Sequence, residues 1–276
     1  MKSVALALGG GGARSLAHIP VLEALDELGI RPVAIAGASF GAVIAAAYAA
    51  GMSGKAIRRI AINTAHDRAA IWAKLLAARV GGLADWLSSP LGNPLLLDAE
   101  KFCSGFLPSD IPDDFASLRV PLTVVATDLY GRGEAVLTSG ALKSALAASI
   151  AIPGLMRPIE REGRVLVDGA AVNPLPFDLL RGKADVVVAV DVSIGPGEPR
   201  GVPEPWEALA ATMQVIGHGI LMRKLADGRP DLLLRPNADA FRLLDFFLAS
   251  AILRAADPIK AQVKEKLAAL LHTSQA

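Results

Sequence analysis

One cysteine in 276 residues, Cys103, rules out a disulfide within the chain and fits a reducing, cytoplasmic setting. It has no neighbouring His or Cys to share a zinc ion, so it reads as a small buried apolar residue. Charge of one sign is also missing. Lys and Arg number 28 against 27 Asp and Glu, a net +1, which gives no field suited to nucleic acid. Aromatics are scarce at 5% although hydrophobic residues reach 53%, because much of the apolar content is alanine. Such a chain folds and is no disordered polymer. Histidines number only four, and no calcium-loop or zinc spacing is present, so no metal or cofactor is expected.

Long apolar runs are nearly absent too. Val4–Leu8 follows Lys2 like a secretory signal, but it is shorter than the ~7–15 residues of an h-region and reads as a first strand. Val33–Met52 carries no charge and has roughly the length of a membrane span. It is mostly alanine and glycine, and it changes at Gly37 from β-branched to helix-forming residues. A strand followed by a helix is the expectation, rather than a span.

What is there alternates β-type runs with helical ones, the pattern of an α/β fold with a mostly parallel sheet flanked by helices. "SVALAL", "PVAIA", "PLTVVATD", "GEAVLTS", "RVLVD" and "ADVVVAVDVS" read as strands. Leu16, Ile19, Leu22, Leu25 and Leu28 mark a helix ending near Gly29, with a kink or a late start at Pro20. Phe40–Ala50, Leu142–Ala148, Trp206–Ala226 and Pro258–Leu271 read as further helices. One domain over 1–276 is expected, with its motifs in about 4–192 and a helical part at about 204–271. Residues 71–97 and 241–253 fit the layers poorly; each reads as a cap over a cleft, a membrane-touching surface, a dimer face or ordinary helix packing. Trp72 and Trp86, with Arg68, Lys74 and Arg79 nearby, suggest transient contact with a bilayer surface, the inner face of the membrane for a cytoplasmic protein.

"GASFGAV" carries the chemistry. Gly37, Ser39 and Gly41 stand between a predicted strand and a predicted helix, the form of a nucleophile elbow that lifts a serine hydroxyl above the sheet. "GGGGARS" also joins a strand to a helix, and its glycines let successive N–H groups converge on an anion. It is no P-loop, because Arg14-Ser15 stands where Lys-Ser/Thr is needed. The dinucleotide fingerprint fails at Ser15 and lacks its acid after the second strand. In "VLVDGAAVNPLP", Asp168 ends a strand beside Gly169 and Ala170. A free aspartate, with a pKa near ~3.9, is a poor base, and burial would improve it. A strand-end acid can equally be a simple cap.

Together these pieces resemble the patatin-like phospholipase family. "LALGGGGARSLAHIPVLEAL" is similar to its glycine-rich segment, "IAGASFGAVIAAAYA" to its elbow and "VDGAAVNPLP" to its aspartate motif. "AASIAIPGLMRPI" (Ala147–Ile159) matches the stretch that precedes the aspartate, and the order holds from about Val4 to Val192. The resemblance implies a three-layer α/β fold and a lipid or other acyl-ester substrate. It also implies a Ser–Asp dyad without histidine, no cofactor, and Ser39 as nucleophile with Asp168 as base. The N–H groups of Gly10, Gly11 and Gly12 would form the oxyanion hole. Arg14 would be the motif's arginine, with Gly37, Gly41, Gly169 and Ala170 in support. Ser15, Pro20 and Ala170 depart from the usual glycines, and Ser15 bears on the shape of the loop.

Two alternatives stand beside this reading. His218 or His272, which follow Asp168, could complete a Ser-Asp-His triad, although neither sits in a turn-flanked loop. His18 is expected to pack or make a hydrogen bond, and His66 lies in a polar stretch. The second alternative is a scaffold or regulatory protein that binds lipid without turnover.

Overall fold

In the computed structural model, residues 2–80, 96–193, 202 and 204–272 are described; the expectations for Trp86 and the rest of 81–95 fall outside them. The described strands are β1 (Val4–Leu8), β2 (Ala34–Ala38), β3 (Leu122–Asp128), β4 (Gly133–Leu137), β5 (Ile159–Arg161), β6 (Arg164–Asp168), β7 (Val186–Val190) and β8 (Leu232–Leu234). They form one sheet in the order β5-β6-β3-β2-β1-β7-β8, with β4 also against β3. The described α-helices are α1 (His18–Glu27), α2 (Phe40–Ala49), α3 (Gly54–His66), α4 (Arg68–Ala77), α5 (Ala99–Phe106), α6 (Leu142–Ser149), α7 (Pro205–Asp227), α8 (Ala249–Ala256) and α9 (Ile259–His272).

The expected mostly parallel sheet is present, with an antiparallel edge. β8, β7, β1, β2 and β3 run parallel. β4 and β6 pair antiparallel with β3, and β5 with β6. The short connection from Asp128 to Gly133 permits only a hairpin, because a parallel return needs a crossover of a dozen or more residues. Two short strands, β5 and β8, lie outside the sequence expectation: three residues are too few to show a period.

Alternation along the central strands explains the alanine content. Val4, Leu6 and Leu8 of β1, Ile35 of β2 and Val186, Val188 and Val190 of β7 point into the larger core. Ala5, Ala7, Ala34, Ala36 and Ala189 point to the other face, where Leu175, Phe177, Leu180, Leu221 and Leu225 cover them. Small residues on that face let the covering segment and α7 approach the backbone closely, which makes the third layer.

Local signals act as read, with small shifts. Residues Gly12–Ala17 form a 3-10 turn, and α1 starts only at His18. Pro20 thus lies in the first turn, where its missing N–H costs nothing. Cys103 is buried, and burial pushes its thiol up to about 12. Glu23 on α1, itself buried, holds Arg58 of α3 at 2.6 Å and Lys260 of α9 at 2.5 Å, fastening the last helix to the core. No described helix is long and apolar enough to cross a membrane.

Candidate active site

The elbow is built by steric demand. Ser39 follows directly on β2 and caps α2 with φ 52° and ψ −139°, a conformation that a residue with a Cβ rarely adopts. Its neighbours are small because the chain turns back on the glycine loop. A Cβ on Gly41 would lie 2.4 Å from the Gly9 carbonyl oxygen, so glycine is obligatory there. Gly37, still in β2, pairs with Leu8 of β1 at the same tight corner.

Asp168 reaches Ser39 through strand register. β4 runs along one edge of β3 from Val124 to Asp128. On the opposite edge β2 covers Leu122 to Val125, ending with Ala38 opposite Val125. β6 takes over from there, with Asp168 opposite Ala126. The ends of β2 and β6 therefore face consecutive residues of one strand, and the side chains that follow meet. The Ser39 hydroxyl donates to Asp168 Oδ2 at 2.6 Å, across 129 positions of sequence. Both residues are buried.

The carboxylate is held on every side. Its Oδ1 accepts the Ala170 N–H at 2.8 Å, its main-chain carbonyl accepts the Thr127 hydroxyl at 2.8 Å, and its N–H donates to the Ala151 carbonyl at 3.0 Å. Burial, partly offset by the bonds from Ser39 and Ala170, pushes the Asp168 carboxyl up to about 6. A carboxylate so shifted is a better base near neutrality than a free one. No histidine among the described side chains bonds to it. His18 donates its Nε2 hydrogen to the Gly9 carbonyl at 2.8 Å, and burial pushes it down to about 4. His66 is exposed on α3, and the His272 side chain falls outside the described residues. His218 lines the pocket, with no bond to Ser39 or Asp168.

The glycine loop needs one correction. The Gly10 N–H donates to the Pro174 carbonyl at 2.9 Å and so is not free to receive an oxyanion. The N–H groups of Gly11 and Gly12 carry no hydrogen bond among the described residues, and both glycines line the pocket beside Ser39. Gly12 has φ +56°, and a Cβ there would lie 2.2 Å from the Leu243 carbonyl. Ser15 has no positive φ and sits inside the 3-10 turn, so its Cβ does not distort the loop.

Arg14 supports the loop rather than facing a carboxylate. Its guanidinium donates to the Val192 carbonyl at 3.0 Å, to the Phe241 carbonyl at 3.4 Å and to Gln214 Oε1 at 2.9 Å. Burial lowers its pKa to about 10. The 241–253 stretch folds over this loop. The Ala13 N–H donates to the Leu243 carbonyl at 2.7 Å, Leu243 lines the pocket, and Phe246 packs on Phe40 with centroids 4.7 Å apart.

The far wall of the pocket is α7, through Ala210, Met213, Gln214, Gly217 and His218. Sequence reasoning placed that helix but not its role, since a helix with no charge from 208 to 222 gives no sign of what it faces. Ser149 and Thr127 were also missed. A lone hydroxyl at the end of a helix or in a strand carries no pattern.

Residues 6–181 match the family described as patatin-like phospholipase. Over 203 residues, 73% of the chain, an uncharacterized NTE family protein of Mycobacterium bovis is 38% identical, and the match spans 52% of that protein. The patatin-like phospholipase domain-containing protein 7 of Rattus norvegicus is 30% identical over 275 residues, which cover 89% of this chain and 19% of that one. The chain thus spans about half the length of the mycobacterial relative and a smaller share of the rat one. The crystal structure of VipD from Legionella pneumophila aligns with a TM-score of 0.50 at 16% identity, covering 96% of this chain and 66% of that one, a likeness of fold. With more than half of its length inside the matched region, the chain belongs to the patatin-like phospholipase family.

Proposed function

We propose that the protein hydrolyses carboxylic esters of lipids, of the phospholipase, lysophospholipase or simple esterase type, through an acyl-enzyme on Ser39. Asp168 takes the Ser39 proton as Oγ attacks the ester carbonyl. The N–H groups of Gly11 and Gly12 hold the oxyanion, a contribution of ~3 kcal/mol per donor in comparable sites. The protonated Asp168 then gives its proton to the departing alcohol, and the acyl-enzyme remains. Water, deprotonated by the same carboxylate, attacks the acyl carbon; the fatty acid leaves and Ser39 recovers its proton.

One observation carries the reading: a strained, buried serine whose hydroxyl donates at 2.6 Å to a buried carboxylate with a raised pKa. The decisive experiment is labelling with a fluorophosphonate probe, followed by turnover of p-nitrophenyl butyrate and of phosphatidylcholine. Wild type labels and turns over while Ser39→Ala does neither; labelling that survives Ser39→Ala overturns the assignment. His218→Ala and His272→Ala separate the dyad from a triad, because both retain turnover within about tenfold only if Asp168 is the base.

The lipid partner is proposed to be met at a surface. Trp72 and Leu76 of α4 are exposed, and the outward side of α7 exposes Leu209, Val215, Ile216 and Met222. That helix is apolar toward solvent while its other side walls the pocket, as suits an interfacial element. Flotation with phosphatidylcholine vesicles tests the contact, and a protein that stays at the bottom of the gradient removes it.

A further inference from the structure

We infer that Ser149 is a positioning residue for acyl transfer: its buried hydroxyl fixes the main chain of the nucleophile, and so the distance from Ser39 to Asp168. The inference rests on the dyad proposed above. Ser39 opens α2 as its cap, so its N–H has no partner within that helix. The Ser149 Oγ accepts that N–H at 2.8 Å. The same hydroxyl donates its hydrogen to the Val125 carbonyl at 2.6 Å, and Ser149 is fully buried.

The directions are forced. A carbonyl only accepts and an N–H only donates, so the atom between them must do both. A hydroxyl does so in the volume of one atom. An alanine there removes the Ser149 partner of a buried N–H and of a buried carbonyl, and a buried group left unpaired costs ~1–3 kcal/mol. The penalty falls where the backbone is already strained, with φ at 52°. The cheapest relief is rotation of the Ser39 peptide, which swings its Oγ away from Asp168.

The same short segment also touches the other half of the dyad. Two residues on, the Ala151 carbonyl accepts the Asp168 N–H at 3.0 Å. Val125, which receives the Ser149 hydrogen, is the residue opposite Ala38 in the strand register. The end of α6 and its exit therefore tie the main chains of residues 39 and 168 to β3. Neither member of the dyad moves without breaking a bond to this segment.

The test compares Ser149→Ala and Ser149→Cys with wild type and with Ser39→Ala, using p-nitrophenyl butyrate. Cysteine fills the site with a somewhat larger atom but is a weak donor and acceptor, so the space stays occupied while the hydrogen bonding is lost. Both variants are expected to lower kcat by about a hundredfold with KM nearly unchanged, the size of effect an ångström of misplacement produces. The pH profile supplies a readout that loss of stability alone does not move. The bond from Ser39 holds the Asp168 pKa down, so loosening it moves the acidic limb of kcat/KM upward. Arg14 and His218 are the other titratable side chains lining the pocket, and neither hydrogen-bonds to Ser149. A folded Ser149→Cys with wild-type kcat and an unmoved limb overturns the inference. If Ser39→Ala keeps turnover, the dyad itself falls instead, so the two failures are distinguishable.

Discussion

The two walls of the pocket are made differently. The wall bearing Ser39 and Asp168 grows out of the sheet, and these two residues are held by Ser149, Thr127, Ala151 and Ala170. The opposite wall is one helix, α7, whose lower half is anchored by Leu221, Leu225 and a Lys224–Asp178 ion pair. Its upper half is tied through Gln214 to Arg14, and it exposes Val215 at 71%. Reacting atoms need positions fixed to fractions of an ångström, and only a densely bonded core supplies that. A wall that admits an acyl chain needs apolar surface and few polar anchors, which a helix leaning on the core provides.

Substitutions on the sheet wall should have the largest effects. Asp168→Asn is expected to cut kcat on p-nitrophenyl butyrate by about 10⁴-fold, the order seen when a catalytic carboxylate loses its charge. It should also raise stability. The folded carboxyl sits at about 6, above its ordinary value of 3.8, so its ionisation opposes folding. That opposition is absent below about pH 4, grows through the window up to 6, and is complete above it. At pH 8 the asparagine variant is expected to gain on the order of 1–3 kcal/mol in urea unfolding, and no gain at pH 8 would contradict the buried charge.

Gly12→Ala comes next. Its Cβ must displace the Leu243 carbonyl, and the φ of +56° disfavours any side chain, so one proposed oxyanion donor moves. A kcat loss of about 10²- to 10³-fold, with fluorophosphonate labelling slowed, is the expected result. Gly10→Ala, by contrast, tests packing against Ala170 and Ser39 rather than loss of a donor. The pH dependence of wild type is gentler: kcat/KM should rise about tenfold per pH unit below 6 and level off above it, because the base must be ionised.

The α7 wall should give the smallest effects, and selective ones. Val215→Glu is expected to leave turnover of a water-soluble ester within about twofold while lowering turnover of vesicle phosphatidylcholine severalfold. Equal losses on both substrates would show that the two walls are not separable in function.

Much of this was legible beforehand, for identifiable reasons. Strict steric limits leave marks in sequence, and the glycines at 37, 41 and 12 are such marks. The continuous apolar runs of β1 and β7 likewise mark buried strands. Contacts between distant segments left none. That Gly10 spends its N–H on Pro174 depends on a loop more than 160 residues away. That α7 closes the pocket follows from close packing over a face of alanines.

By itself, then, the sequence determined the local geometry: a tight corner with a serine at its tip, a glycine loop, and an aspartate at a strand end. These depend on backbone sterics within a few residues. Only the tertiary structure decided that the serine and the aspartate face consecutive residues of β3, that the Gly10 N–H is taken while those of Gly11 and Gly12 carry no hydrogen bond among the described residues, and that Ser149 spans two main-chain groups. Register between strands is set by packing summed over the whole sheet, and no short stretch contains it.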